Sequence, residues 1–243
     1  MILKKRITNE EFLASQLTIN KEYKALDFGA SQGFLVKEIR SRGISCLGCD
    51  IKEWYKSDPS QAAEGLEVGK DLIINSENSL PFDNESFDFI VSNQVIEHVS
   101  ELQSISDELF RVLKPDGEVF LLFPSKEIFW EPHILVPFFH KFGYRTNSKY
   151  LRYTLYLLTH LLKGKSLNSF KNKYENDTKY TSNFTHFRYI REIKNIFINS
   201  GFEFKDKSKF WFRAKYEMNF FFRIVLKLIH PRYFLSNFIV IKK

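Results

Sequence analysis

Residues Leu26–Phe34 read LDFGASQGF, and two different turns fit them. Gly29-Ala30-Ser31-Gln32-Gly33 satisfies G-x-S-x-G, the strand-to-helix turn that lifts a hydrolase's serine nucleophile above its sheet. With one substitution it also fits the glycine-rich turn that lets a nucleotide-like ligand approach the backbone at the start of a doubly wound sheet. In the first reading Ser31 is a nucleophile; in the second it stands where a glycine usually does. The surroundings decide. A nucleophile elbow follows several strands and an oxyanion loop such as HGGG, yet only one strand, YKALD (Tyr23–Asp27), precedes Ser31, and no HGGG-like segment lies upstream. The cofactor turn requires an acidic residue ending the second strand, about 20 residues on, to accept from ribose hydroxyls. Asp50 stands 21 residues after Gly29.

Working outward, a helix is expected from Gly33 to Ser41 and strands at Ile44–Asp50, Asp71–Asn75, Phe87–Ser92 and Glu118–Phe123. Ser100 with Gln103 reads as a capping box for the helix over ELQSISDELFRVL, and Thr8 with Glu11 as another near the N-terminus. Beyond Phe123 the rhythm breaks. An apolar helix is expected near Leu151–Leu162, a helix over Phe187–Ser200 closed by Gly201, and strands at Phe202–Lys207 and Phe234–Ile241. This pattern predicts an α/β fold: a Rossmann-like doubly wound sheet, mostly parallel with an antiparallel last strand, in three layers, plus helical insertions. We read 1–243 as one domain, with a cofactor-binding core (1–124), a substrate cap (125–185) and a C-terminal helix and strands (186–243) carrying an insertion at about 210–232.

The totals bound the partners. At 44% hydrophobic and 27% charged the chain is globular in composition, and no run approaches the roughly 20 apolar residues of a membrane span. The start, MILKKRITNEEF, lacks the apolar run of a signal peptide. Its two cysteines, Cys46 and Cys49, give no disulfide framework, so a cytoplasmic setting is expected. They sit three apart on a strand, hence on opposite faces, and read as core thiols rather than half a zinc site. Charge divides unevenly. Residues 1–129 carry 14 Lys+Arg against 22 Asp+Glu, and residues 130–243 carry 22 against 7. The second part should meet something anionic, or a membrane.

With LDFGASQG, CLGCD, LPFDNESFDFIVSNQVIEHV (Leu80–Val99) and LFRVLKPDGEVFLLFP (Leu109–Pro124) on the page, the chain resembles class I S-adenosylmethionine-dependent methyltransferases, especially their broad small-molecule group. The resemblance runs from Ala25 to about Ser125. It implies S-adenosylmethionine as cofactor. It also implies that Asp27, Gly29, Ser31 and Gly33 hold the methionine end and Asp50 the ribose, that Ser76 or Glu77 meets the adenine, and that Asn93 closes the methionine side. Two departures are Ser31 for the usual middle glycine and Ser76 for a frequent aspartate. With Gln94 where some metal-binding relatives carry the first glutamate of E-x-x-E-H, no metal is expected.

The acceptor is less legible. Methylation of an exocyclic base nitrogen usually relies on N/D-P-P-Y/F after the fourth strand. Ser92-Asn93-Gln94-Val95 argues instead for a hydroxyl or carboxylate acceptor, a small molecule or glycan. His98, after the fourth strand, and His133, in Trp130-Glu131-Pro132-His133, are the candidate bases; each also reads as an ordinary packed or loop histidine. The EPH segment followed by ILVPFFHKF weakly resembles methyltransferases found among bacterial cell-surface glycan genes. In MNFFFRIVLKLIH, Phe221, Ile224, Val225 and Leu228 oppose Arg223, Lys227 and His230, the pattern of an interfacial helix and equally of one laid on a core. The former would bring peripheral contact with the inner membrane face and a lipid-linked sugar. Two rivals remain: an RNA methyltransferase, disfavoured because the basic residues are scattered without an RNA-binding module, and a non-catalytic cofactor-binding scaffold.

Overall fold

Alternating apolar strands and amphipathic helices fold into one seven-stranded sheet. A computed structural model describes residues 4–51, 62–141, 148–164, 170–217, 230–233 and 236–243. In chain order these form β1 (Lys4–Lys5), α1 (Asn9–Ala14), β2 (Lys24–Phe28), α2 (Phe34–Ser41), β3 (Ser45–Ile51), β4 (Leu72–Asn75), β5 (Phe87–Asn93), a 3₁₀ turn (Ile96–His98), α3 (Leu102–Val112) and β6 (Leu113–Phe123). After a second 3₁₀ turn (Phe139–Lys141) come α4 (Lys149–Leu162), α5 (Phe170–Phe184), α6 (Ile190–Asn199), β7 (Glu203–Asp206), α7 (Ser208–Lys215), β8 (Tyr216–Glu217), a third 3₁₀ turn (Pro231–Tyr233) and β9 (Asn237–Lys242).

The sheet order is β4-β3-β2-β5-β6-β9-β7, and β9 alone runs antiparallel to both neighbours. The chain leaves β2 toward β3 on one side and returns to β5 on the other. The crevice between the carboxyl ends of β2 and β5 is therefore the topological switch point, where such sheets take their ligands. A separate ladder, β1 with β8, ties the N-terminal segment to the C-terminal part.

Each face of the sheet has its own core. On one, Leu35, Val36 and Ile39 of α2 pack with Phe12, Cys46, Trp211 and Phe238. On the other, Ile105, Leu109 and Val112 of α3 pack with Cys49, Ile193 and Phe197. Full burial of one such aliphatic side chain stabilises by about 1.5–3 kcal/mol. The two cysteines lie on opposite faces, and burial pushes both thiols up, which suits inert core residues. A third cluster, Val136, Phe139, Tyr156, Phe170 and Tyr174, holds the region after β6 together.

Several expectations are corrected. The Thr8–Glu11 capping box forms, but Ser100 and Gln103 make none. Helix α3 is entered at Glu101 without a side-chain cap, and Gln103 donates instead to Asp107 and Ser200. Strand β6 starts at Leu113 rather than Glu118, because the KPDG stretch is absorbed into the ladder as a register shift, with Asp116 at φ 61°. Helix α6 starts at Ile190, three residues later than expected, where Glu192 accepts from the Tyr189 N–H and Glu127 from the Ile190 N–H. Helix α5 was missed because FKNKYENDTKYTSNF is polar around most of its circumference and buries little beyond Phe170, Tyr174 and Thr181. Trp211, at the start of the expected second insertion, belongs to α7 and packs in the core. The expected helix around Phe221, Ile224, Val225 and Leu228, with Arg223 and Lys227, lies outside the described residues.

Candidate functional site

The glycine turn is built by left-handed backbone. Gly29, Ser31 and Gly33 have φ of 81°, 49° and 84°, so alternate residues turn the chain sharply from β2 into α2. At Gly29 a Cβ would fall 2.2 Å from the Val95 side chain, and at Gly33 2.5 Å from Leu66. Only glycine meets both demands at those two places. Ser31 keeps the same conformation at a cost of about 1–2 kcal/mol. Its N–H donates to Asp50 Oδ2 at 2.9 Å, and the Gly29 and Ala30 N–H groups donate to the Cys49 carbonyl. The loop is thus fastened to the end of β3, and Ser31 is part of a cradle rather than an elbow.

Carboxylates line that cradle. Asp27 at the end of β2 is 2% exposed. Burial raises its pKa well above the usual carboxylate range, and the negative charges of Asp50 and Glu10 raise it further. Asp50 rises to about 6, again through burial, against the lowering effect of the Ser31 and Ile51 N–H groups. With Asp50 and Glu10 close by, the buried Asp27 carboxyl keeps its proton until a cation arrives to offset the charge. Such an acidic edge suits a cation: the sulfonium and ammonium of S-adenosylmethionine fit it, whereas the pyrophosphate of a dinucleotide would be repelled.

Asn93 closes the other side through α1. Its Nδ2 donates to Glu10 Oε1 at 3.0 Å, and its Oδ1 accepts from Asn9 Nδ2 at 3.0 Å. The Lys215 ammonium in turn donates to Asn9 Oδ1. Glu10 and Asn9 were missed in the sequence; the only signal was the capping box that starts α1. Past β4, Ser76 and Glu77 are both exposed, and the Ser76 hydroxyl donates to the Ser79 carbonyl. The buried group there is Asn75, whose Oδ1 lacks a hydrogen-bond partner.

The two candidate histidines come together. His98 ends the 3₁₀ turn after β5, His133 sits in the loop after β6, and their ring centroids are 5.1 Å apart. His98 Nδ1 donates to the Phe184 carbonyl at 2.6 Å. His133 Nδ1 lies 2.7 Å from Glu131 Oε1, while Glu131 Oε2 accepts from the His133 and Ile134 N–H groups. A carbonyl or carboxylate only accepts, so Nδ1 of each ring carries a proton, and in the neutral ring Nε2 then keeps the lone pair. Burial, with His133 and His186 nearby, holds the His98 pKa below the usual value. Glu97, 2% exposed, lies beside them; burial and the Glu131 charge raise it to about 8. Glu97 and Glu131 were not singled out as site residues, because neither carboxyl is remarkable until two distant loops meet.

Comparison with known proteins finds methyltransferases. Residues 26–121 match a family model described as methyltransferase domain. Among curated proteins, the chain is 30% identical over 115 residues to a glycine/sarcosine/dimethylglycine N-methyltransferase of Actinopolyspora halophila, covering 46% of this chain and 20% of the relative. It is 30% identical over 102 residues to the mitochondrial ubiquinone biosynthesis O-methyltransferase of Bos taurus, covering 40% and 28%. A 24-methylenesterol C-methyltransferase 2 of Oryza sativa subsp. japonica matches at 30% over 112 residues, 45% and 31%. The chain spans only about a fifth to a third of these relatives' lengths. The fold extends further. An S-adenosylmethionine-dependent methyltransferase from Mesorhizobium loti superposes with TM-score 0.55 at 16% identity over 96% of both chains, and the YcgJ protein from Bacillus subtilis with 0.56 at 17% over 96% and 97%.

Proposed function

We propose that this chain, whose residues 26–121 match a methyltransferase-domain family model, is a class I S-adenosylmethionine-dependent methyltransferase that transfers a methyl group to an oxygen of a small molecule or glycan. N-, O- and C-directed relatives share the same core, so the choice of oxygen rests on the acceptor side. The observation that carries it is the His98–His133 pair, each ring held by its Nδ1 with the Nε2 lone pair available. A hydroxyl acceptor must lose its proton, and a fixed imidazole lone pair can take it.

Bound in the cradle, S-adenosylmethionine supplies an electrophilic methyl group on a sulfonium centre. The chain's own residues supply alignment. Asp27, ionising as the cation enters, and Glu10 meet the cationic end, Asp50 accepts from ribose hydroxyls, and the Gly29–Gly33 backbone allows close approach. The methyl–sulfur bond breaks as the methyl–oxygen bond forms, and the hydroxyl proton passes to an imidazole Nε2. Glu131 holds the His133 ring so that this proton has one destination.

A lipid-linked sugar fits a second set of observations. Tyr150, Leu158, Leu161 and Leu162 of α4 are 81%, 52%, 49% and 89% exposed, while the opposite face of that helix is buried. Together with the cationic charge after residue 130, this supports peripheral contact with an anionic membrane, on a different helix from the one expected in the sequence. No described helix is long and apolar enough to cross a membrane.

The test is calorimetric titration with S-adenosylmethionine, S-adenosylhomocysteine and NAD, followed by transfer assays on hydroxylated sugars, free and lipid-linked. Micromolar binding of the two sulfur ligands and none of NAD is expected, with label appearing in an ether. Silence toward both sulfur ligands would return the chain to the scaffold reading.

A further inference from the structure

We infer that Glu97, His98 and His133 form a binding site for one divalent first-row transition-metal ion on the acceptor side of the cradle. One ligand atom from each of the three residues lies within 4.8 Å of the others. The imidazoles are already arranged as ligands. Each has its Nδ1 bound to an oxygen, the Phe184 carbonyl or Glu131 Oε1, which fixes the tautomer and leaves Nε2 as the free donor. This is how metal-bound histidines are oriented by the groups behind them.

Glu97 gives the independent observation. Its side chain is 2% exposed and its Oε2 has no hydrogen-bond partner. A buried carboxyl oxygen without a partner is costly, and a metal ion that displaces the carboxyl proton would satisfy it. Arg188 donates to the carbonyls of Val99, Ser100 and His186 and not to Glu97. Two nitrogens and one carboxylate favour manganese, iron, cobalt or zinc over magnesium. Metal–ligand bonds of about 2.0–2.2 Å would draw the three groups together by about 1 Å, leaving open positions for an acceptor oxygen.

The inference rests on the hydroxyl-methylation reading and changes one step of it. With the ion bound, both Nε2 lone pairs are ligands. The ion then lowers the pKa of the acceptor hydroxyl, whose O–H bond breaks with the proton passing to solvent water, while the oxygen–methyl bond forms and the sulfur–methyl bond breaks. The sequence argued against a metal because Gln94 replaces a glutamate. The fold brings a nitrogen ligand from the loop after β6 instead.

Chelator-treated protein, its fold checked by circular dichroism, is titrated with Co²⁺ and followed by its visible d–d bands. One equivalent is expected to bind, displaced by Zn²⁺. His133→Asn and Glu97→Gln should each weaken binding more than 100-fold, and Glu131→Gln, which releases the His133 ring, 10–100-fold. His230→Asn should change nothing. No saturable Co²⁺ binding, or binding that survives His133→Asn, overturns the site; so does full methyl transfer by chelator-treated protein, which leaves the methylation reading standing. Failure to bind S-adenosylhomocysteine removes the methylation reading while Co²⁺ binding is still measured on its own.

Discussion

The proposed cofactor end of the cleft and its proposed acceptor end hold their polar side chains in different ways. At the cofactor end, Asp27 and Asp50 sit at the tips of β2 and β3, and the loop between them hangs on backbone hydrogen bonds to the neighbouring strand. At the acceptor end, His98, His133 and Glu131 come from a 3₁₀ turn and a loop, and one histidine is held by the carbonyl of Phe184 at the end of α5. The first end is fixed by the sheet and tolerates almost no change in backbone. The second is an assembly of side chains, which can lose a member and keep its shape.

Breaking the stiff end should give the largest effect. Gly29→Val places a side chain on Val95 at a left-handed position, and is expected to cost about 3 kcal/mol or more of stability and abolish binding of S-adenosylhomocysteine; thermal melts and calorimetry would show it. Gly29→Ala combined with Val95→Ala should recover all but the backbone term of about 1–2 kcal/mol. If the double variant were no better, the close approach to Val95 would not be what demands glycine.

At the soft end, His133→Asn should lower kcat by about 100-fold or more while leaving S-adenosylhomocysteine affinity and melting temperature nearly unchanged. Equal losses in affinity would mean that the two ends are coupled. Asp50→Asn should do the converse, weakening the cofactor by about 10–100-fold through lost charged hydrogen bonds.

Asp50 also sets a pH dependence. Its folded pKa is about 6, above that of an unfolded aspartate. Between about pH 4 and 6 the folded, ligand-free protein therefore holds the proton more tightly. This group's contribution to stability is present at low pH and fades as pH rises through 6. Cofactor binding runs the other way, because the ionised carboxylate is the acceptor, so affinity should climb from pH 5 to 7. A flat profile would remove Asp50 from the ribose. The smallest effect is expected for Ser31→Gly, which relieves a left-handed serine and should stabilise by about 1 kcal/mol without loss of binding. A nucleophilic serine would give total loss of activity.

The same contrast explains what could be read in advance. LDFGASQG and the spaced Asp50 are local patterns, since a turn and the next strand's end are a few dozen residues apart and obey one geometry. Helix α3 was equally plain, because Leu102, Ile105, Leu109 and Val112 repeat at helical spacing and all face the core. His98 and His133 could be named singly, but their meeting depends on the loop after β6 folding back over β5, which no periodicity encodes. The same holds for Glu10 and Asn9, brought to Asn93 from the far end of the chain. Ser76 and Glu77 follow from position in the resemblance alone; both are exposed in the turn after β4, next to the buried Asn75.

Strand β9 lies inside the sheet, hydrogen-bonded to β6 on one side and β7 on the other. Until Asn237–Lys242 arrive, the long apolar strand Val119–Phe123 presents a bare row of backbone donors and acceptors, a template for any other extended chain. Deleting residues 236–243 would expose that template for good. The shortened protein should be found in aggregates or on chaperones, although every residue that faces the cofactor would still be present.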